Sequence, residues 1–387
     1  MAADQPRARI LCISFSDINH DSRVLRQLDV LAELGDVTTV GYGDGPRVAT
    51  EHLEIDAGLP SLPQTPAGVA SLALRRYRRV ELAAPAVRAT LTVVGDRRFD
   101  VVVANEARAM AVGLRVAHGA PVVADMHEWA PEERAHVRPW RLLVKPFMTD
   151  QCARYLPKMA AVTVVNDSIG KLYQERFGVR THTVRNTGAF RELSPGEVRD
   201  GRIRLVHSGG AVPGRNIEAL VDAVRMLDER FTLDLYLVPA RDGGKYLDSL
   251  RARIAGEPRV TLHPPVAPAE LVGTLNAYDV GVFSLPPLTP NHRLMLPNKI
   301  FDYVQARLAV VFGSALETDR LITEHELGAI AADASAQALH DVLAPMTEQR
   351  VRELKHNADR AAKVLNSVED AAVTRNVVAG LLPGHRA

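Results

Sequence analysis

The chain has 387 residues, 47% of them hydrophobic and 24% charged, which fits a globular protein of two or three domains. A net charge of +1 and an aromatic content of 5% supply neither the basic field nor the stacking platforms that nucleic-acid binding draws on, so no nucleic-acid partner is expected. No apolar run approaches the ~20 residues of a membrane span, and the opening MAADQPRAR lacks the apolar core of a signal peptide. Two cysteines, Cys12 and Cys152, sit in apolar surroundings and read as buried thiols of a reducing compartment. No Cys/His spacing reads as a zinc site, and a cytoplasmic protein is expected.

Residues 9–14 (RILCIS) read as an apolar strand, followed by a loop over 15–21. Apolar residues at Val24, Leu25, Leu28, Leu31 and Leu34 then keep helical spacing, with Asp21 or Ser22 as cap and Gly35 as stop. A second strand is expected over 37–42. Residues 60–98 form a Pro-bearing and then basic segment, read as helical and flanking the main sheet. Within it Leu74, Arg75, Arg76, Tyr77, Arg78 and Arg79, close to Val69 and Leu72, suit either peripheral contact with an anionic membrane or a plain solvated helix face. Strands recur at 99–104, 121–125 and 161–165, and alternation with helices signals parallel α/β layers.

The polar, aperiodic stretch 190–201 (FRELSPGEVRDG) is the expected boundary. It separates an N-terminal domain over 1–190 from a C-terminal domain over 191–365, with a helical tail over 366–387 expected to pack back on the first. The second pattern opens with a strand at 203–207, a glycine loop and a helix whose inner stripe is Ile217, Leu220, Val221, Val224 and Leu227. Strands over 233–238, 260–262, 280–283 and 310–312 complete it.

Ligands in such sheets sit at strand carboxyl ends, so chemistry is sought in the loops that follow strands. After the strand at 280–285 come Pro286 and Pro287, a polar loop with His292 and Arg293, and Pro297 at the expected first position of a helix. Asn298, Lys299 and Asp302 fall in the first turns of that helix, Asn298 and Asp302 on one face. Helix N-termini favour phosphates, and a carboxylate beside them suits a ribose hydroxyl. The competing explanation is a surface helix with ordinary caps. The segment HSGGAVPGRN (207–216) offers Gly209 and Gly210 for close backbone approach, Arg215 at a helix start and Asn216 as its cap. It lacks the Gly-Lys-Ser/Thr ending of a Walker loop, and a simple turn would look the same.

The opening loop, with His20, Asp21 and Arg23, contains no glycine, which argues against a dinucleotide site of dehydrogenase type. His127 and Glu128, just past a strand, could orient or protonate a substrate hydroxyl. Ser168 reads as an N-cap, while Arg185 and Asn186 read as lining a cleft between the halves.

Taken in order, HDSRVLRQL (20–28), DMHE (125–128), VVNDS (164–168), VRN (184–186), Gly209 and Gly210 with PGR (213–215), and LPNKIFDY (296–303) resemble the family 4 retaining glycosyltransferases of the GT-B fold. The resemblance implies two Rossmann-like parallel-sheet domains facing each other across a cleft. A nucleotide-diphosphate sugar would bind mainly to the second domain, through Gly209, Gly210, Arg215, Asn298, Lys299 and Asp302. An acceptor hydroxyl on a sugar, lipid-linked or small molecule would be held mainly by the first, with His20, Arg23, Glu128, Arg185 and Asn186 at the acceptor side or cleft. His127, Arg215 and Lys299 would carry catalysis, Asp302 would take the place of the ribose-binding acid, and neither a metal nor a separate cofactor would be needed. Three departures stand out: Leu294 where many members have an acid, and Arg307 and Ala309 where they have Gly and Pro. Members with the Pro-Asn-Lys version also lack the first acid, whereas Arg307 and Ala309 put the helix-to-strand turn in question and leave open a catalytically degenerate GT-B protein that binds a nucleotide sugar or supports a partner enzyme. A nucleotide-sugar epimerase on the same fold is the other alternative.

Overall fold

The structure is a computed structural model that describes residues 7–199, 201–240 and 243–383. The opening MAADQP, Asp200 of the expected boundary segment and the last four residues of the expected tail lie outside the described residues. The chain divides into two compact units, Met1–Arg185 with Glu369–Ala387, and Asn186–Val368.

The first unit holds β1 (Ala8–Asp17), β2 (Gly35–Tyr42), β3 (Glu51–Ile55), β4 (Val101–Asn105), β5 (Val122–Met126), β6 (Ala161–Val164) and β7 (His182–Thr183), in the order β3-β2-β1-β4-β5-β6-β7. The second holds β8 (Ile203–Ala211), β9 (Phe231–Pro239), β10 (Val260–His263), β11 (Val280–Phe283), β12 (Ala309–Gly313) and β13 (Gly328–Ala331), in the order β10-β9-β8-β11-β12-β13. All pairings are parallel. Both units are therefore Rossmann-like, as the alternating pattern implied. Strand order reverses between β1 and β4 and again between β8 and β11, and such switch points open a crevice at the strands' carboxyl ends.

Parallel strands covered on both faces need nearly unbroken apolar sequence, and VVVAN of β4 and VVADM of β5 are buried throughout. Along β1 the period of two sends Leu11 and Ile13 into one core and Ile10 and Cys12 into the other. The returning helix Ser367–Ala379 places Val378, followed by Leu382, among Ile10, Leu28 and Leu31, and Arg375 Nε donates to Glu33 Oε2 at 3.0 Å. Among the described residues no helix is long and apolar enough to cross a membrane.

Several local expectations are corrected. β3, β7 and β13 were not anticipated; all are short, and β3 and β7 carry too few buried side chains for a periodic signal. β1 runs on to Asp17 and ends in a 3-10 turn, Ile18–His20, leaving Asp21 to cap the helix Ser22–Leu34 by accepting the Val24 N–H at 3.2 Å. The stretch taken for a glycine loop after His207 is strand: Gly209 and Gly210 pair with Leu237 and Val238 of β9. Neighbouring-strand pairing is nonlocal, so it left no mark in the local sequence.

The turn questioned at Arg307 is well formed. Arg307 takes φ 61°, the left-handed conformation usually given to glycine, and is buried. Its guanidinium donates to Asp359 Oδ1 at 2.7 Å, to the Gln305 carbonyl at 2.6 Å and to the Arg191 carbonyl at 2.7 Å. Gln305 completes the clasp by accepting the Arg191 N–H at 3.0 Å. Ala309 starts β12 without distortion.

Candidate functional site

In the second unit the chain leaves β11 through Pro286 and Pro287 into a short helical turn, Pro290–Arg293, whose cap Thr289 accepts the His292 N–H at 3.2 Å. His292 Nδ1 lies 3.1 Å from the Pro286 carbonyl, so its ring is tied to its own loop. Pro297 is the N-cap of the helix Asn298–Gln305, one position before its expected place. Among the described residues no side chain caps that end; the Ile300 N–H donates to the Pro297 carbonyl at 3.2 Å, which leaves the N–H groups of Asn298 and Lys299 for another partner. Ile300, Phe301, Tyr303 and Val304 bury one face of the helix, which fixes how Asn298, Lys299 and Asp302 are presented.

Lys299 reaches across to β8. A Cβ on Gly209, whose φ is 146°, would overlap the Lys299 ammonium, so only glycine leaves that space. The Nζ also lies 5.9 Å from the centroid of Phe283 at the end of β11. Loss of hydration lowers the Lys299 pKa to about 8, with Asp302 opposing the shift and Arg215 adding to it. Beneath it, His207 stacks on Phe283 at 6.1 Å and donates its Nδ1–H to the Val282 carbonyl at 2.9 Å. Burial, and then the positive charge of Lys299, push His207 down to about 3, so it stays neutral at working pH. Gly209, Gly210, Arg215, Lys299 and Asp302 thus form one locally cationic end of the β8–β11 switch point, with Asn298 on the same helix end. Arg215 is exposed just before the helix Ile217–Met226. Asn216 holds the N-cap position but does not cap: at φ 59° its amide donates to the Ala334 carbonyl at 2.5 Å instead. The left-handed backbone, which asparagine tolerates, turns its side chain away from the helix.

The first unit has its own polar centre at the β1–β4 switch point. Asp125 on β5 is buried and takes a forked pair from Arg23, Nε at 2.9 Å and Nη2 at 2.6 Å. Gln27 donates to it at 3.1 Å and Thr163 at 2.6 Å. Burial alone would raise the Asp125 pKa, but Arg23 and His127 hold it far below the usual carboxylate range. His127, the first residue past β5, points Nε2 at Asp125 Oδ2 (3.3 Å) and Asn105 Oδ1 (3.2 Å), two acceptors that require an Nε2–H. Its Nδ1 lies 3.7 Å from Glu106 Oε1. Burial opposes a charge on the ring, yet Asp125 and Glu106 outweigh it and raise the His127 pKa. Glu128 reaches solvent, but lost hydration around its carboxyl, and then Glu133 and Glu106, push it up to about 7.

Other candidates separate. His20 is exposed and, among the described residues, bonds only Asp17, at 2.9 Å. Arg23 is buried as the clamp on Asp125 rather than open to a ligand. Arg185 pairs with Asp370 at 3.2 Å, and Asn186, half-buried, begins the second unit. Sequence reasoning missed Asn105, Glu106, Arg108 and Glu133. Arg108 pairs with Glu106 and lies 3.6 Å from Glu133. Glu106 adopts φ 65°, a strained value for a non-glycine residue, at the start of the helix Ala107–Val116. The strand-end rule that singled out His127 applies equally to Asn105 and Glu106.

The sequence model of Glycosyltransferase Family 4 matches residues 22–187. No curated protein sequence matches the chain. Among solved structures, Alr3699/HepE of Anabaena in complex with UDP-glucose superposes with a TM-score of 0.69 at 14% identity, covering 97% of this chain and 100% of that one. Sucrose-phosphate synthase from Thermosynechococcus elongatus gives 0.69 at 16% identity, over 97% and 99%. An E. coli protein bound with UDP-2-fluoro glucose gives 0.66 at 11%, over 97% and 99%. At these identities the likeness is one of fold. Residues 22–187 thus resemble Glycosyltransferase Family 4 in sequence, and the two Rossmann-like units carry the fold of GT-B glycosyltransferases.

Proposed function

We propose that this protein is a retaining, metal-independent glycosyltransferase that moves a sugar from a nucleotide-diphosphate sugar to a hydroxyl acceptor, working in the cytoplasm. The observation that carries the reading is the Lys299 ammonium held over Gly209 at the uncapped N-terminus of Asn298–Gln305. Lys299, Arg215 and the first-turn N–H groups, that of Asn298 among them, would neutralise the diphosphate; Gly209 and Gly210 would admit it; Asp302 would accept from a ribose hydroxyl. The bond from the anomeric carbon to the phosphate oxygen breaks as the bond to the acceptor oxygen forms on the same face. The acceptor proton passes to the leaving phosphate, whose growing charge Lys299 and Arg215 stabilise. His127 and Glu128 would meet the sugar or acceptor in the first unit, with His20, Arg185 and Asn186 farther out and Arg23 setting His127 through Asp125. Peripheral contact with the inner membrane face belongs to the same reading.

Thermal-shift screening against nucleoside diphosphates and their sugars, with chelator present, tests the donor site. Incubation of the stabilising donor with hydroxyl acceptors, followed by NMR of the product, then reads the anomeric configuration. An inverted product, or turnover that requires added metal, would overturn the corresponding part. A second reading is a GT-B protein that binds a nucleotide sugar without turnover. That reading predicts a nucleotide-dependent shift with no product under any acceptor.

A further inference from the structure

Residues 64–79 and 134–146 contain no Asp or Glu, although both lie in a chain whose overall charge is near zero. They are some sixty residues apart in sequence, and only the first was marked by its composition. The fold joins them: the helix Pro66–Ala73 packs against the π-helical turn Trp140–Val144, and Tyr77 meets Phe147 with ring centroids 5.8 Å apart. On this joined face Leu74 and Leu142 are 64% and 63% exposed, and Val69 and Val137 are each 40% exposed. Few other large apolar side chains in the first unit are so open to water. Around them stand Arg75, Arg76, Arg78, Arg79, Arg138 and Arg141, all exposed and none paired with a described carboxylate. The neighbouring acids are already engaged: Glu132 with Lys145, and Asp150 with Arg154.

Exposed leucines flanked in the chain by unpaired arginines, on two segments that pack together, are poorly suited to water and to a neutral protein partner alike. They match the two layers of an anionic bilayer, acyl chains below and phosphates above, where each basic residue near the surface adds to the attraction. We propose that the surface formed by Pro66–Ala73, the following arginines and the 137–142 turn docks the first unit onto an anionic membrane, with Leu74 and Leu142 as the inserted residues. The inference widens the sequence stretch at 74–79 into a two-segment surface and assigns its apolar anchors. It also bears on the acceptor, and in that respect rests on the transferase reading. The helix Lys145–Tyr155 runs on from the turn and brings Met148 beside His127 and Glu128, which links the docking surface to those two residues.

The test is co-sedimentation of the full chain with vesicles of phosphatidylcholine alone or mixed with phosphatidylglycerol. Wild-type protein is expected to pellet with the mixed vesicles and remain in solution with the neutral ones. Arg138→Glu/Arg141→Glu should weaken binding at least tenfold, and Leu74→Asp/Leu142→Asp should abolish the part that survives high salt. All four substitutions are at exposed positions, and the nucleotide-induced thermal shift of each variant reports folding and the donor site separately. Loss of that shift in wild type while vesicle binding persists would sink the transferase reading and leave the docking surface standing. Wild-type protein that ignores anionic vesicles, or binds them equally after the arginine reversals, overturns the proposal. Vesicle-indifferent protein that sediments as a dimer, and as a monomer with Leu142→Asp, overturns it in favour of a second copy on this face.

Discussion

The Lys299 ammonium occupies the space a Cβ on Gly209 would need, which makes a strand glycine and a helix lysine one packed unit although ninety residues separate them in sequence. Gly209→Ala should therefore displace Lys299 without touching the ligand itself. We expect a folded protein whose affinity for the preferred nucleoside diphosphate falls about tenfold to a hundredfold, the worth of a charged hydrogen bond. Circular dichroism and calorimetric titration would check both halves.

Because Lys299 titrates near pH 8 in the free protein, diphosphate affinity should decline as pH rises through that value. Lys299→Met should be weak throughout and flat across the same window. Its stability should not suffer. The folded pKa lies below the unfolded one, so the charged lysine costs stability at neutral pH, and that cost fades as pH rises from about 8 toward 10.5. A fall in melting temperature on Lys299→Met would contradict this account.

Asp125 behaves in the opposite sense. Its depressed pKa means that its ion pair with Arg23 stabilises the fold above the unfolded carboxylate range and is lost as pH falls through the folded value. Arg23→Met should cost about 3–5 kcal/mol at pH 7, since it leaves a buried carboxylate with its strongest partner gone. The deficit should shrink in acid. Urea melts at pH 7 and pH 4 would measure the difference.

Glu128, raised to about 7, is protonated in a large fraction of molecules at neutral pH. If it meets the acceptor, turnover should change with an apparent pKa near 7, and Glu128→Gln should remove that limb while leaving nucleotide binding intact. Since its folded pKa exceeds the unfolded one, its contribution to stability falls as pH rises from about 4.5 to 7.

The helix start that presents Asn298, Lys299 and Asp302 is largely legible in the sequence because its signals are local. Proline, asparagine and lysine opening a helix after an apolar strand announce themselves within a dozen residues. What escaped was carried by nonlocal pairing. Nothing near residue 23 says that its guanidinium will fork onto residue 125, and only β9 makes Ser208 and Gly209 strand rather than loop. Asn105 and Glu106 were within reach of the strand-end rule and were passed over. Asn216 was misjudged because a good capping residue was assumed to have capping backbone angles.

Arg307 carries a last consequence, for how such a chain can change over generations. Glycine would ease the left-handed backbone, yet it would leave a cavity and remove the guanidinium from Asp359 and the carbonyls of Gln305 and Arg191. We expect Arg307→Gly to destabilise the second unit by roughly 2–4 kcal/mol, although the substitution relieves φ. The guanidinium is a strut as well as part of a turn: with its neighbours bonded to it, the position cannot accept the residue that its backbone alone would favour.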